Sequence, residues 1–537
     1  MSNPRQQKSL SGYRQSAIFV AYLLITGLLL LAVPEFLQWG KSFTSPAYAG
    51  IFHEDLETFD EVLTLIEEKY VYPPDYKAVF SAAIENMLRS VDPEKQKLNT
   101  STPGIILSNN DNRISYQLDF NREHNYTAFK TVYYFLLTEF KDQANKKTLE
   151  TAGINGMILA LDSYSQYLDK DSFDRAVKDT EGKYGGLGMV ITMKENNLMV
   201  VKTMRHSPAE RAGVLPNDII SKVDNQETKG LQIQELADKL RGLPNTKVIV
   251  TLLRPSENNK ERTLTLTREI ISVESVFYKP LANHTGYIKI TGFSRQTEDQ
   301  LKEALEKIRA DKIKSVILDL RDNPGGLLEQ SVKIASHFLS QNRLIVYTQG
   351  RQKNDRYEYL SKYNHTLNNM PLVVLINHYS ASAAEIVAGS LQDLDQALLI
   401  GETSYGKGSV QTIFRLDDGS GLRLTTSKYY TPSGIDITAY GIAPDVEIIR
   451  DLPEDDKNPR KNEAKPKSTN PHPPQMQMKA SELTRFLKDR GIVSDVVTDT
   501  GNDPLVNFSV LILKDNTILS KKRTLEKARE LAANIRY

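Results

Sequence analysis

Pro371-Leu-Val-Val-Leu-Ile376, Asn377-His-Tyr-Ser-Ala381 and Ser382-Ala-Ala-Glu-Ile-Val-Ala-Gly389 form one continuous stretch. An apolar run of strand length ends in a polar turn, and small residues then open a helix with Ser382 in its first turn. A hydroxyl there sits beside unpaired backbone N–H groups and the positive end of the helix dipole, which favour a developing anion, so the N–H of Ala383 could face an oxyanion. Read alone, the stretch supports a duller view: serine at a helix start is most often an N-cap. Ser380 and Ser390 compete for the same role.

Outward from this stretch, strand-like and helix-like segments alternate between Ser272 and Ile449. GYIKI, a helix from Thr297 to Ala310, SVILDLR, a helix after Gly326, LIVYT, PLVVLI, a further helix and ALLIGE follow one another, the order of an α/β domain.

Two more segments carry chemistry. Gly401-Glu-Thr-Ser-Tyr-Gly406-Lys407-Gly408-Ser-Val-Gln411 contains the opening of a phosphate-binding loop. Gly408 stands where that loop needs a metal-binding hydroxyl, and a strand-like VQTIFRL follows where a helix is required, so a nucleotide site is rejected. What remains is one lysine between two glycines, either an exposed turn residue or an amine reaching into a packed site. Leu318-Asp-Leu-Arg-Asp-Asn-Pro-Gly325-Gly326 ends a strand in a tight turn and bares N–H groups at Gly325 and Gly326; these suit an oxyanion or simply a turn.

Taken in order, DLRDNPGG, SASAAEIVAGSLQD, GETSYGKGSVQ, YYTPSG and GIAPDVEI resemble the carboxyl-terminal-processing (tail-specific) peptidases of the Ser/Lys type. The resemblance runs from about Phe59 to Ile449. It implies a multi-domain protein: an α/β protease core with a ClpP/crotonase-like β-spiral, an inserted β-rich PDZ domain and a helical N-terminal region. It also implies Ser382 as nucleophile, Lys407 as general base, Gln411 as a lysine-orienting amide, and an oxyanion hole from the N–H groups of Gly326 and Ala383. Lysine ordinarily titrates near 10.4, so acting near neutrality needs a drop of about 3 units, or about 4 kcal/mol, which burial away from carboxylates supplies. His378, four residues before Ser382, and Asp393 are read as non-catalytic; a carboxylate beside the lysine would hold it protonated.

Between Lys183 and Thr267 short β-branched runs with glycine turns (GMVITM, LMVVKTM, DIISKVD, KVIVTLLR) and a helical stretch Ile233–Arg241 form a β-rich module that resembles a PDZ domain. The backbone of Tyr184, Gly185, Gly186, Leu187 and Gly188 is expected to hold a peptide's terminal carboxylate while a strand edge pairs with the peptide. Asn217 and Asn245 stand where that family more usually has glycine, and the module is expected to gate the active site.

Before it, Phe59, Val62, Ile66 and Tyr70 match Phe129, Val132, Leu136 and Phe140 at an offset of 70, and Ile84, Met87, Val91 and Asp92 match Ile154, Met157, Leu161 and Asp162 at the same offset, as a duplicated helical pair would, or two unrelated amphipathic hairpins with chance matches. The family that the chain resembles normally carries one such unit, and its members often dimerise through these helices.

The expected divisions are a cytoplasmic tip with membrane anchor or signal (1–45), the helical region (46–178), the PDZ module (179–270), the protease core (271–450), a Pro/Lys/Asn-rich linker (451–478) and a small appendage (479–537) with a strand-like FSVLIL and helix-like LEKARELAANI. Arg5, Lys8 and Arg14 precede an apolar run from Ala17 to Val33, long enough to span a bilayer and oriented with the N-terminus in the cytoplasm. Ala47-Tyr48-Ala49 resembles a signal-peptidase site but lies far past that run, which favours an uncleaved anchor with the catalytic part outside the inner membrane.

With 68 Lys and Arg against 67 Asp and Glu, the +1 charge gives no reason for a nucleic-acid partner, and the absence of cysteine excludes thiolate chemistry and disulfides. The partners implied are protein or peptide substrates bound by the C-terminus, the membrane, a second copy of the chain through the N-terminal helices, and an adaptor; no metal or cofactor is implied. A catalytically silent PDZ scaffold is the competing reading from another class.

Overall fold

The computed structural model describes residues 56–94, 99–101, 105–109, 112–181, 183–204, 206–363, 367, 370–451, 473–492, 503–514 and 521–533. The apolar run Ala17–Val33, the Ala47-Tyr48-Ala49 site and most of the expected linker lie outside them. Among the described residues no helix is long and apolar enough to cross a membrane.

The helical region is two hairpins. The first is α1 (Glu57–Lys69) and α2 (Tyr76–Val91). A three-stranded meander, β1 (Asn99–Ser101), β2 (Ile105–Asn109) and β3 (Asn112–Tyr116), separates it from α3 (Arg122–Glu139) and α4 (Lys146–Leu159). The matched positions meet each other: the rings of Phe59 and Phe129, both fully buried, stack at 4.1 Å between centroids. Strand β4 (Gln166–Leu168) and α5 (Lys170–Glu181) follow.

The β-rich module hangs from a two-stranded antiparallel ribbon of its entering strand β5 (Lys183–Gly186) and its leaving strand β12 (Glu269–Ser272). Between them run β6 (Met189–Lys194), β7 (Asn197–Thr203), the short α6 (Pro208–Arg211), β8 (Ile219–Val223), β9 (Gln226–Glu227), α7 (Ile233–Leu240), β10 (Lys247–Arg254) and β11 (Lys260–Thr267). The sheet order β11-β10-β8-β7-β6 makes β6 an edge strand. Asn217 and Asn245 hold φ of 69° and 68°, the left-handed region that asparagine tolerates after glycine, so the turns keep their shape.

The core sheet contains β13 (Val276–Leu281), β14 (Thr285–Ile290), β15 (Ser315–Asp319), β18 (Leu372–Ile376), β19 (Leu398–Gly401), β22 (Val446–Ile449) and β23 (Met476–Lys479), in that spatial order and parallel from β14 onward. Alternate residues of β15 and β18 serve two cores. Val316, Leu318, Val374 and Ile376 face α8 (Thr297–Ala310), α9 (Leu328–Ser336) and α10 (Ala383–Asp393). Ile317, Val373 and Leu375 face α12 (Ala480–Asp489), α13 (Pro504–Leu513) and α14 (Lys521–Ala533).

Two expectations change here. The segment FSVLIL is helical, because Asp503 caps α13 by accepting the N–H groups of Leu505 and Val506, and the helix is apolar on several sides because it lies under a sheet. The expected linker also ends in structure: its last residues form most of β23, which extends the core sheet, and the helices of the appendage cover the sheet's second apolar face, as a parallel sheet requires. A second sheet, β17 (Arg356–Leu360), β16 (Leu344–Gln349), β21 (Gly421–Tyr430) and β20 (Ser409–Arg415), receives β4 of the helical region on β21. The short α11 (Ile437–Tyr440) follows β21.

Candidate active site

In parallel α/β sheets, sites form beyond the carboxyl ends of the strands. Strands β15, β18 and β19 are neighbours, and the DLRDNPGG turn, the Asn377–Ser382 turn and the Gly401–Gly408 loop leave their carboxyl ends, so three segments distant in sequence converge. The turns are laced together: Ala381 N–H donates to the Asn323 carbonyl (2.9 Å), and the Ser380 hydroxyl to the Leu320 carbonyl (2.8 Å). That bond turns the buried Ser380 hydroxyl into the backbone, as a bond to the Val387 carbonyl does the buried Ser390 hydroxyl.

Ser382 holds φ 55° and ψ −115°, a conformation a non-glycine residue adopts at a cost of order 1–3 kcal/mol. An N-cap residue is ordinarily extended; Ser382 is not, so although Glu385 reaches back to its N–H as in a capping box, its backbone is not that of a plain cap. The residue is partly open to solvent.

Glu385, fully buried one turn into α10, organises the site. Its Oε2 accepts the N–H of Ser382 (2.7 Å) and of Lys407 (2.9 Å), and its Oε1 accepts the Gly406 N–H (2.6 Å) and the Ser404 hydroxyl (2.5 Å). One oxygen thus holds the backbones of both Ser382 and Lys407. Burial pushes the Glu385 carboxyl up, and these four donors work against that push.

Lys407 is half-buried, with its Nζ 5.3 Å from the centroid of the Tyr164 ring. Burial pushes its ammonium below the ordinary lysine value and the Arg423 guanidinium adds to this, while the Glu385 charge opposes. Among the described residues it has no ion pair, and no hydrogen bond joins it to Ser382. Gln411 lies at a bulge in β20, and its Nε2 donates to the Ser409 hydroxyl (2.8 Å) and carbonyl (3.2 Å); no bond from it to Lys407 is formed among the described residues.

The Pro-Gly-Gly turn lies against the serine. A Cβ on Gly325 (φ 98°) would come within 2.7 Å of the Ser382 Cβ, and one on Gly326 (φ 143°) within 2.2 Å of the Phe293 carbonyl oxygen. The Gly325 N–H is spent on Asn323 Oδ1 (2.8 Å), whereas among the described residues the N–H groups of Gly326 and Ala383 have no acceptor. His378 is taken up by Glu402 (2.7 Å) and Arg450 (2.8 Å), and Asp393 accepts the Ser433 N–H (2.9 Å).

Residues 284–448 match the model of peptidase family S41, and residues 199–254 match that of a PDZ domain. A carboxy-terminal-processing protease of Bartonella bacilliformis is 42% identical over 314 residues, 58% of this chain and 71% of that protein. The chain belongs to peptidase family S41. A probable CtpA-like serine protease of Staphylococcus aureus is 36% identical over 325 residues, 60% of this chain and 65% of that protein. Among solved structures, a photosystem II D1 C-terminal processing protease aligns with a TM-score of 0.41 and 24% identity over 74% of this chain and 93% of that one, too distant a likeness to carry residue roles. As an S41 member the chain is a serine-type peptidase with a PDZ domain.

Within the PDZ module the Tyr184–Gly188 run divides. Tyr184, Gly185 and Gly186 pair with Ile271, Ile270 and Glu269 in the ribbon, and Gly242 N–H donates to the Gly185 carbonyl (3.0 Å). Leu187 is buried and Gly188 (φ 72°) leads into edge strand β6.

Sequence reading missed Glu385, Tyr164 and Arg423. Glu385 had a signal, the Ser-x-x-Glu spacing of a capping box, in which the glutamate reaches back to the first N–H of the helix. Asp503 was missed too: with Asp319 (2.6 Å) it brackets Arg321 (2.7 Å) beneath the Pro-Gly-Gly turn.

Proposed function

We propose that this S41 peptidase is an envelope endopeptidase that takes hold of the C-terminal tail of its substrates and cuts peptide bonds with Ser382 as nucleophile and Lys407 as general base. The observation that carries the reading is the single Glu385 oxygen accepting both the Ser382 and the Lys407 N–H, which anchors the hydroxyl-bearing and amine-bearing residues to one point.

In this mechanism the neutral Lys407 amine takes the Ser382 proton as Oγ attacks the peptide carbonyl. The oxyanion that forms is met by the N–H groups of Gly326 and Ala383, worth about 10²–10³ in rate for one such donor. The Lys407 ammonium then protonates the leaving amine, and water, activated by the same amine, releases the acyl group from Ser382. With Nε2 of Gln411 occupied by Ser409, its Oε1 is the atom that receives a lysine N–H and orients the amine.

The tail binds as an added strand on β6, beside α7, with its carboxylate on N–H groups of the Leu187–Gly188 corner, and Tyr184–Gly186 serve as the stem. The N-terminal run anchors the chain, the catalytic part lies outside the inner membrane, and the helical hairpins offer the dimer contact.

Cleavage of a peptide with an apolar C-terminal residue tests this: Ser382→Ala abolishes turnover, amidation of the peptide's terminus weakens binding, and chelators leave the rate unchanged. Turnover by Ser382→Ala at the wild-type rate refutes it.

A further inference from the structure

Lys407 is enclosed from three directions, and one comes from outside the protease core. Glu385 of α10 holds its backbone, Arg423 of β21 lies nearby, and the Tyr164 ring, from the segment that ends the helical region, faces its Nζ at 5.3 Å.

That segment is firmly built. Asp162 Oδ1 accepts the N–H groups of Tyr164 and Ser165 (both 2.7 Å), and its Oδ2 accepts the Ser165 hydroxyl (2.9 Å). The Ser165 hydroxyl in turn accepts the Thr425 N–H (3.1 Å), and β4 pairs with β21 at Arg423, whose guanidinium reaches Gln166 (3.4 Å). The first hairpin braces it as well: Tyr70 donates to the Leu161 carbonyl (2.8 Å), and Val71 N–H to the Thr425 carbonyl (2.9 Å). These bonds fix the backbone that carries the Tyr164 ring.

We infer that Tyr164 is a positioning residue for the Ser382–Lys407 reaction, a wall supplied by the helical N-terminal region that keeps the Lys407 amine dry and aligned. The inference rests on Lys407 being the base. The ring has two opposed effects on that amine. Its π face favours the ammonium, but weakly at a distance near the outer limit of about 6 Å for such contacts. Its bulk excludes water, and desolvation moves a lysine by up to several pH units. Exclusion therefore dominates, and the helical region is part of the catalytic apparatus.

The test is the pH dependence of kcat/KM for peptide cleavage by the full chain in wild type, Tyr164→Phe, Tyr164→Ala and Lys407→Ala. Tyr164→Phe keeps the wild-type profile. In Tyr164→Ala the acid limb moves up by about one pH unit, lowering kcat/KM near neutrality about tenfold. The limb's position belongs to the active molecules alone, so partial misfolding lowers the amplitude without moving it; if the alanine variant does not fold, Tyr164→Val gives a smaller shift in the same direction. A wild-type limb in the variant that folds, or a downward shift, overturns the role of Tyr164. Full activity in Lys407→Ala instead overturns the underlying assignment of the base, and the two failures are read from different proteins.

Discussion

Glu385 Oε2 accepts the Lys407 N–H at 2.9 Å while its own residue sits one helical turn beyond Ser382. A carboxylate near a lysine base would ordinarily be a liability, since its charge favours the ammonium. Here it is turned to the lysine backbone, and all four of its hydrogen bonds are received from Ser382, Ser404, Gly406 and Lys407. The positioning gain outweighs the electrostatic cost because burial, the larger effect on the amine, pushes the other way.

Glu385→Gln is nearly isosteric yet puts an NH2 where two donors already point. Each lost bond to a charged acceptor is worth about 1.5–3 kcal/mol, so kcat falls at least about 100-fold. Because a negative charge is removed, the acid limb of any residual activity moves down in pH. Steady-state kinetics across pH check both; an unchanged kcat would mean that the carboxylate does not position the site.

The backbone of Ser382 supplies a prediction about stability. At φ 55° and ψ −115° alanine keeps the strain of serine, whereas glycine relieves it. Ser382→Gly is therefore more stable than Ser382→Ala by about 1 kcal/mol, after subtracting the extra chain entropy of glycine. Denaturant unfolding of the two inactive variants measures the difference, and equal midpoints would argue against strain at the serine.

Arg321 joins the appendage to the turn beneath Ser382. It pairs with the buried Asp319, which also accepts the Tyr287 hydroxyl (2.7 Å), and with Asp503 at the head of α13. Asp503→Ala removes a helix cap and one partner of a mostly buried guanidinium, costing about 2–4 kcal/mol. A chain ending at Asp451 loses β23 and uncovers Ile317, Val373, Leu375, Leu398 and Ile400, and is expected to be insoluble. Thermal unfolding and expression trials test the pair; a truncated chain that folds and cleaves would make the appendage dispensable.

Acid sensitivity has a named origin in His337, Glu298 and Tyr363. Burial pushes His337 down to about 4; among the described residues both ring nitrogens lack hydrogen bonds, and Nε2 stands 3.7 Å from Glu298. Burial alone would raise Glu298, but bonds from Tyr363, Lys333 and Lys302 bring it down to about 2. For both groups the unfolded chain takes up protons first, so stability is lost as pH falls, between about 6.5 and 4 for His337 and about 4.5 and 2 for Glu298. His337→Phe keeps an aromatic ring against Tyr363 (4.6 Å in the wild type) and flattens the upper part of that decline. Unfolding midpoints from pH 7 to 4 follow it, and an equally steep decline in the variant would clear His337.

Much of this was legible in sequence because the decisive segments are local. A strand, a turn and a small-residue helix announce Ser382, and glycines flanking Lys407 announce a lysine in a tight loop. Periodicity placed the strands of the core, whose alternate residues face two apolar layers. It failed at FSVLIL, where a helix buried on several sides carries no polar stripe to mark its period. Tyr164 and Asp503 were invisible for a different reason: each acts through a contact with a residue far off in the chain, and an ordinary tyrosine or an N-cap aspartate carries no local mark of its distant partner.

In the proposed mechanism the uncharged Lys407 amine activates the Ser382 hydroxyl. The rate at which a sulfonyl fluoride modifies Ser382, followed against pH in wild type and Lys407→Ala, tests it without any substrate or PDZ contribution. The wild-type rate is expected to climb through one ionisation below the ordinary lysine value and to fall to background in the variant; equal rates at every pH would contradict the account.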